Sequence, residues 1–356
     1  MKFLIFIISL LSLIVAAVLL VIALTGCATD AHAQIRAEWE LLEAGPLDIY
    51  ILETDGRRLY AGTSDGVYTS LDHGYTWRSS DLPDYVNTIA ITQNRVYAGT
   101  SFNGVFRSDS HGNTWQPKNN GIRLVKRAEG ELGPPIIEQI LVTRSGAVIA
   151  VAYHQGTYIS NNRGDSWHGV GDDWQDERIG YNIWKMAEFD GYLWAALSIS
   201  SMVRSPDNGG TWEAVGGWSI SRVTDFAELN NRLYVATGNT DHTLVRWNEP
   251  ERDWEVLIQG LPSVEEGNID TLTVHTGRLF AGLRNHGVYM FDRRSETWIP
   301  AGLQEFRISD LVSHQSRLYA VARYEDWDFA GIFRASIPIV HSYGKAATTW
   351  GAVKRK

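Results

Sequence analysis

Seven short runs along the chain pair apolar residues with small ones at a period of two. They are Leu59-Tyr60-Ala61-Gly62-Thr63, Val96-Tyr97-Ala98-Gly99-Thr100, Val148-Ile149-Ala150-Val151, Leu193-Trp194-Ala195-Ala196, Leu233-Tyr234-Val235-Ala236, Leu279-Phe280-Ala281-Gly282 and Leu318-Tyr319-Ala320-Val321. A strand whose two faces are both apolar or small is one packed between neighbouring sheets. Seven core strands are therefore expected, each at the heart of a similar unit.

A second signature follows the first four runs. It reads Ser70-Leu71-Asp72-His73-Gly74-Tyr75-Thr76-Trp77, then Ser108-Asp109-Ser110-His111-Gly112-Asn113-Thr114-Trp115. The later copies are Ser160-Asn161-Asn162-Arg163-Gly164-Asp165-Ser166-Trp167 and Ser205-Pro206-Asp207-Asn208-Gly209-Gly210-Thr211-Trp212. Hydroxyl and carboxylate side chains can bond nearby backbone N–H groups, glycine supplies a φ > 0 turn, and the tryptophan anchors the turn to the core. Two further units keep only the tryptophan, at Trp254 and Trp298. The seventh core strand has no tryptophan after it, whereas Trp39-Glu40-Leu41-Leu42 reads as the end of a unit that lacks a beginning. Successive tryptophans from Trp39 to Trp298 stand 38 to 52 residues apart, the period of four-stranded propeller blades. An N-terminal strand that completes the last blade closes the ring and removes exposed sheet edges.

The motif resembles the Asp-box, or BNR, repeat, S-x-D-x-G-x-T-W, found in sialidases, sortilin-type receptors, two-propeller xyloglucanases and the photosystem II assembly factor. The first and fourth copies match fully; Ser110 and Asn162 replace the aspartate in the second and third. The resemblance covers residues 39–336 and implies an all-β fold, a seven-bladed β-propeller. In such proteins the box is structural and turned away from the ligand face, so its residues (Ser70, Asp72, Gly74, Thr76, Trp77; Ser108, Gly112, Thr114, Trp115; Ser160, Asn162, Gly164, Trp167; Ser205, Asp207, Gly209, Thr211, Trp212) speak to fold, not to function.

Upstream of the repeats, Lys2 precedes an uncharged apolar run of 22 residues, Phe3 to Leu24. Leu24-Thr25-Gly26-Cys27 resembles a bacterial lipobox, in which the cysteine carries the lipid, and Cys27 is the single cysteine of the chain. The run is also long enough to span a bilayer uncleaved, and Ala31-His32-Ala33 has the form of an ordinary cleavage site. Each reading exports the remainder of the chain, and Ala28 after the cysteine leans towards the outer membrane. The expected organisation is a signal peptide or anchor over 1–26, a linker over 27–38, the propeller over 39–336 and a tail over 337–356. That tail carries Lys345, Lys354, Arg355 and Lys356.

Composition narrows the function classes. Fourteen Trp and 33 Gly suit many short strands and tight turns. A net charge of −9, mixed along the chain, leaves no nucleic-acid footprint. One cysteine excludes an intrachain disulfide framework. The histidines show no metal-ligand spacing, and no phosphate loop, nucleophile elbow or EF-hand loop occurs, so neither metal nor cofactor is expected. Arg163-Gly164-Asp165 spells an adhesion tripeptide, but turn geometry explains it, and His73 and His111 are expected to be solvated.

Binding residues are expected on the loops of one face. The candidates are Asp65, Asn103, His154, Gln155, Asn239, His242, Arg284, Asn285 and His286, with two acidic loops that hold Asp172, Asp173, Asp176 and Glu177, and Glu325, Asp326, Trp327 and Asp328. Carboxylates beside a tryptophan suit a sugar subsite, and glycosidases work with paired carboxylates. The sialidase arginine motif, however, is missing. The stretch from Gln116 to Gln139, with Arg123, Lys126 and Arg127, is the longest insertion and reads as a partner-binding arm or as a tolerated loop. The favoured expectation is a monomeric, non-catalytic propeller that holds a protein or carbohydrate partner. The alternative is a glycoside hydrolase of the xyloglucanase or sialidase kind.

Overall fold

A computed structural model describes residues 37–337, apart from 43–47, 128–129, 153, 171–182, 199–200, 217–221, 239–243, 264–267 and 325–328. Seven four-stranded antiparallel sheets succeed one another along the chain. Blade 1 consists of Ile49–Thr54, Leu59–Thr63, Gly66–Ser70 and Arg78–Ser79, in that spatial order. Blades 2 to 6 repeat the arrangement, with first strands Val86–Ile91, Gln139–Val142, Ile183–Phe189, Val223–Glu228 and Ile269–His275. Blade 7 takes Arg307–His314, Arg317–Arg323 and Phe329–Ser336, and then its fourth strand, Glu38–Leu42, from the other end of the chain. Glu38 stands opposite Ser336 and Leu42 opposite Ile332. First strands of successive blades touch, and that of blade 7 touches that of blade 1, so the ring is closed. The protein is a seven-bladed β-propeller with its last blade completed by the N-terminal strand.

The second strands carry the core because each is sandwiched between blades: all five residues of Leu59–Thr63, Val96–Thr100 and Leu233–Thr237 are buried. Close approach explains the glycines in this strand. A Cβ on Gly62 would lie 2.8 Å from Val86 Cγ1, and one on Gly99 2.6 Å from Ile137 Cγ2, both on the next blade. Adjacent blades could not close to this spacing around a larger side chain.

The boxes are self-contained hydrogen-bonded turns. In blade 1 the Ser70 hydroxyl donates to Asp72 Oδ1 (2.9 Å) and accepts from the Gly74 N–H (2.8 Å). Asp72 also accepts from the Thr76 N–H (2.9 Å) and hydroxyl (2.6 Å). Blade 4 repeats these bonds with Ser205, Asp207, Gly209 and Thr211. Ser110 and Asn162 take the aspartate's place as acceptors for the Thr114 and Ser166 N–H groups, each at 2.9 Å. The fourth position also requires the left-handed region, at His73, His111, Arg163 and Asn208 (φ 54 to 66°). Burial raises the carboxyls of Asp72 and Asp207, but the hydrogen bonds from Thr76 and Thr211 outweigh it and hold both below the usual range. Their contribution is therefore present at neutral pH and lost as pH falls below about 4. Asp207→Ala is expected to cost about 1–2 kcal/mol at pH 7 and much less near pH 3, read from thermal unfolding at the two pH values.

Tryptophans join blades in two ways. Trp77, Trp115 and Trp212 are half-buried and donate to the carbonyls of their own box glycines, Gly74, Gly112 and Gly209. Trp167, Trp298 and Trp39 donate instead to the preceding blade, to Lys118 O, Leu257 O and Ala301 O (2.8 to 2.9 Å). Trp39 thus supplies the anchor that the seventh repeat lacks.

A girdle of buried arginines adds to this. Arg107 in blade 2 pairs with Asp165 of the third box (2.8 Å), Arg204 in blade 4 with Glu249 (2.9 Å), and Arg246 in blade 5 with Glu296 (3.1 Å). Arg334 in blade 7 donates to Glu40 (2.5 Å) and to the Tyr75 hydroxyl of the first box. The Arg163-Gly164-Asp165 tripeptide is consumed by this girdle, since Arg107 also donates to Arg163 O (2.8 Å). His73 departs from the solvated expectation: its Nδ1 lies 3.3 Å from Nε2 of the buried His314, across the seam between blades 1 and 7.

Candidate functional site

The antiparallel order of each blade gives the ring two unlike faces. One carries the first-to-second turns and the boxes between third and fourth strands. The other carries the second-to-third turns and the blade-to-blade connections, and is called here the loop face. Each first strand starts at the loop face and descends along the central channel.

Polar side chains of the first strands stitch neighbouring blades around that channel. Asp310 accepts from the N–H of Leu52 (2.7 Å), Thr88 from Ile140 (3.2 Å) and Asp225 from Leu272 (2.8 Å). Gln139 both donates to Met186 O and accepts from Met186 N, each at 2.8 Å. Closer to the loop face, the Trp184 indole donates to Val223 O (2.9 Å) and Thr224 to Ile269 O (2.7 Å).

At the mouth of the channel lies a cavity of about 290 Å³. Its walls carry four cations, Lys185, Arg222, Arg284 and Arg307, against two carboxylates, Glu138 and Asp270. Asp270 is engaged by both Arg284 (2.9 Å) and Arg307 (2.8 Å). Burial, together with the neighbouring Arg284 and Arg323 and against the attraction of Asp270, lowers Arg307 to about 10. It remains charged at neutral pH. Trp184 is 37% exposed at the rim.

Deeper in the channel, burial raises the Glu53 carboxyl to about 8, with repulsion from Asp310 adding to it. Asp310 is raised to about 7, by burial first and by Asp225 next, despite accepting the Leu52 and Leu311 N–H groups. Lys185 lies 3.8 Å from Asp225. No group of three or more His, Cys, Asp or Glu side chains suited to a metal ion occurs among the described residues.

Of the loop residues singled out in the sequence, Arg284 lines the mouth. Gln155 lies elsewhere on the face, where it accepts from the Ile136 N–H (3.2 Å). Asp65 caps its own turn through Thr63 (2.7 Å) and Tyr68 (3.0 Å), and Asn103 donates to Asp84 (2.7 Å). His154 and Asn285 hold left-handed turn positions, and His286 is half-buried. Cys27, Asp172, Asp173, Asp176, Glu177, Asn239, His242, Glu325, Asp326, Trp327 and Asp328 lie outside the described residues. The mouth residues Trp184, Lys185, Arg222, Asp270 and Arg307 were not singled out, because first strands carry no shared motif. Their signal is the polar alternation of segments such as Ile269-Asp270-Thr271 and Arg307-Ile308-Ser309-Asp310.

The loop face also gathers exposed apolar side chains. Among the described residues, seven of the ten exposed large hydrophobics, Phe102, Leu124, Leu132, Ile136, Trp184, Ile258 and Tyr324, sit in loops or strand ends of this face. Four of them belong to the insertion, or to the turn it covers. Such concentration marks interaction surfaces.

No family model and no curated protein matches the chain. Solved structures do. The extracellular domain of a one-component system of B. thetaiotaomicron is 13% identical with a TM-score of 0.62, over 84% of this chain and 40% of that one. A structure described as YCF48 bound to D1 peptide is 12% identical, TM-score 0.61, over 86% and 97%. A GH74 xyloglucanase from Xanthomonas campestris is 14% identical, TM-score 0.54, over 77% and 51%. At such identities the likeness is one of fold: the chain shares the propeller with an extracellular domain, a peptide-bound protein and a xyloglucanase alike.

Proposed function

We propose that this protein is an exported, membrane-anchored Asp-box propeller that binds a protein or glycan partner on its loop face and performs no catalysis. The observation that carries the reading is the character of that face. It presents seven exposed large apolar side chains and a mouth of four cations, while Asp270 is already held by two arginines. That suits adhesion to a partner better than acid–base work, which needs a carboxyl group free to exchange a proton. The propeller fold shared with a peptide-bound protein supports a protein partner over a glycan. Photo-crosslinking in the cell envelope tests this. A benzophenone side chain at Phe102 or Trp184 is expected to give a discrete adduct, and one at Leu71, on the box face, none. Adducts only from Leu71, or from no position, would refute it.

The hydrolase reading draws on the xyloglucanase likeness and on Glu53, whose raised carboxyl has the character of a general acid. Its neighbour Asp310 is bound to two backbone N–H groups and is structural. The purified chain is therefore expected to show no turnover of aryl sialosides or β-glucans. Activity abolished by Glu53→Gln, or by both Asp176→Asn and Asp326→Asn, would replace binding with catalysis.

Anchoring through Cys27 belongs to the same proposal. Cys27→Ser is expected to abolish incorporation of labelled fatty acid and to change the mature mass. An unchanged mass and membrane partition would assign the anchor to the apolar run itself.

A further inference from the structure

We propose that the hairpin inserted between blades 2 and 3 and the cationic channel mouth form one groove. It would take an extended polypeptide segment that carries a large apolar side chain and, a few residues away, a carboxylate. The inference rests on the reading of the loop face as a protein-binding surface and names the chemistry of its partner.

The insertion is a built structure. Val125–Lys126 pairs with Leu132–Gly133 as a small hairpin. Arg127 fastens it to blade 2 by donating to Phe102 O, and closes the insertion on itself by donating to Pro134 O (3.2 Å). Gly133 leaves room for the Arg127 guanidinium, which would lie 2.6 Å from a Cβ at that position. The Ile136 N–H is held by Gln155 at 3.2 Å. These ties preform a pocket of about 520 Å³ bounded by Phe102, Val125, Pro134 and Ile136. That is ligand-sized, about 300–1,000 Å³ being usual. Phe102, Ile136 and Leu132 nevertheless remain 57%, 42% and 67% exposed. A surface held open while so apolar is preorganised for a hydrophobic side chain.

The second half follows from the chain's path. Ile136 lines the hairpin pocket, and Glu138 and Gln139 line the channel mouth. Two or three residues of extended chain cover about 7–10 Å, so a strand laid alongside meets both sites with a similar spacing. The mouth is lined by four cations and two carboxylates, with Asp225 3.8 Å from Lys185 as a third, so positive charge is in surplus, and Arg222 is exposed. A guanidinium cluster with surplus positive charge selects a carboxylate and orients it by paired hydrogen bonds. A glycan would instead need hydrogen-bonding carboxylates beside an aromatic platform, and Asp270 is occupied by Arg284 and Arg307.

The test uses the full chain in detergent, panned against a phage-displayed random dodecapeptide library. The enriched peptides are then synthesised and titrated by fluorescence anisotropy. The expected consensus places Phe, Leu, Ile or Trp two to four positions from Asp or Glu. Phe102→Asp and Arg222→Glu are each expected to weaken binding at least about tenfold, and Leu71→Asp on the box face to leave it unchanged. Amidating the peptide's acid should remove the sensitivity to Arg222→Glu but not that to Phe102→Asp. Unchanged unfolding midpoints make these losses local, and Ile136→Asp replaces Phe102→Asp if the latter misfolds. A consensus without the acid, peptides indifferent to both variants, or no enrichment overturns the groove. The crosslinking outcome at Phe102 and Trp184 stands apart, so a failed groove and a failed binding surface are told apart.

Discussion

Removing residues 37–42 is expected to leave the ring unable to close and to lower stability by on the order of 5 kcal/mol, comparable with the whole stability of an ordinary domain. The strand contributes five paired positions to Phe329–Ser336, the buried Leu42, the Trp39 bond to Ala301 and the Glu40 partner of Arg334. Its absence also exposes an edge strand to pairing with other copies. The truncated protein should melt far below the parent by circular dichroism and elute as aggregate from a sizing column. Trp39→Ala is the milder form, expected to cost about 3 kcal/mol, because the ring is wedged against Gly302, whose Cβ would sit 2.5 Å from it. A truncation that melts within a few degrees of the parent would show that closure does not hold the ring together.

The second large effect concerns pH. Glu53 and Asp310 have carboxyls raised to about 8 and about 7, in the first case chiefly by burial and in the second by burial and then Asp225. A raised carboxyl means that the folded protein holds its proton more tightly than the unfolded chain. Stability from these groups is therefore complete below the unfolded value, about 4, and drains away as pH rises to about 8. That is opposite in sign to the box aspartates. Glu53→Gln removes a charge that the channel tolerates poorly, and is expected to raise stability at pH 8.5 by roughly 1–3 kcal/mol while changing little at pH 4. Denaturant titrations of parent and variant at the two pH values measure it. Equal stabilisation at both would mean that the Glu53 carboxyl is not raised in the folded protein, and loss at pH 8.5 that it is ionised and paired there.

The fold was legible to the extent that it repeats. Seven small-and-apolar runs and six downstream tryptophans leave one unit short of an ending, and Trp39 supplies it; only a closed seven-bladed ring accommodates all of them. The girdle is legible too: Phe106-Arg107-Ser108, Val203-Arg204-Ser205, Val245-Arg246-Trp247 and Phe333-Arg334-Ala335 share an apolar-Arg-small-or-aromatic frame at one blade position. The mouth was not. Trp184 and Lys185, Asp270, and Arg307 come from three different first strands, and only the closed ring brings them together. Loop position drew attention to Asp65 and Asn103, yet such side chains commonly satisfy their own turns, as these do. The insertion announced its length but not the tie between Arg127 and Phe102, since a backbone carbonyl as acceptor leaves no mark on the sequence.

The pairing of Glu38 with Ser336 has a mechanical consequence. The polypeptide enters and leaves the propeller at one corner of the box face, and Glu38–Leu42 runs from there towards the loop face. Were the chain tethered upstream of Glu38 and loaded on the loop face, as proposed above, the tension would be directed along that strand. The ladder to Phe329–Ser336 is then pulled in shear, with its five rungs strained together, and is not peeled open rung by rung. The N-terminal strand that closes the ring is also the element best oriented to carry a pulling force through it.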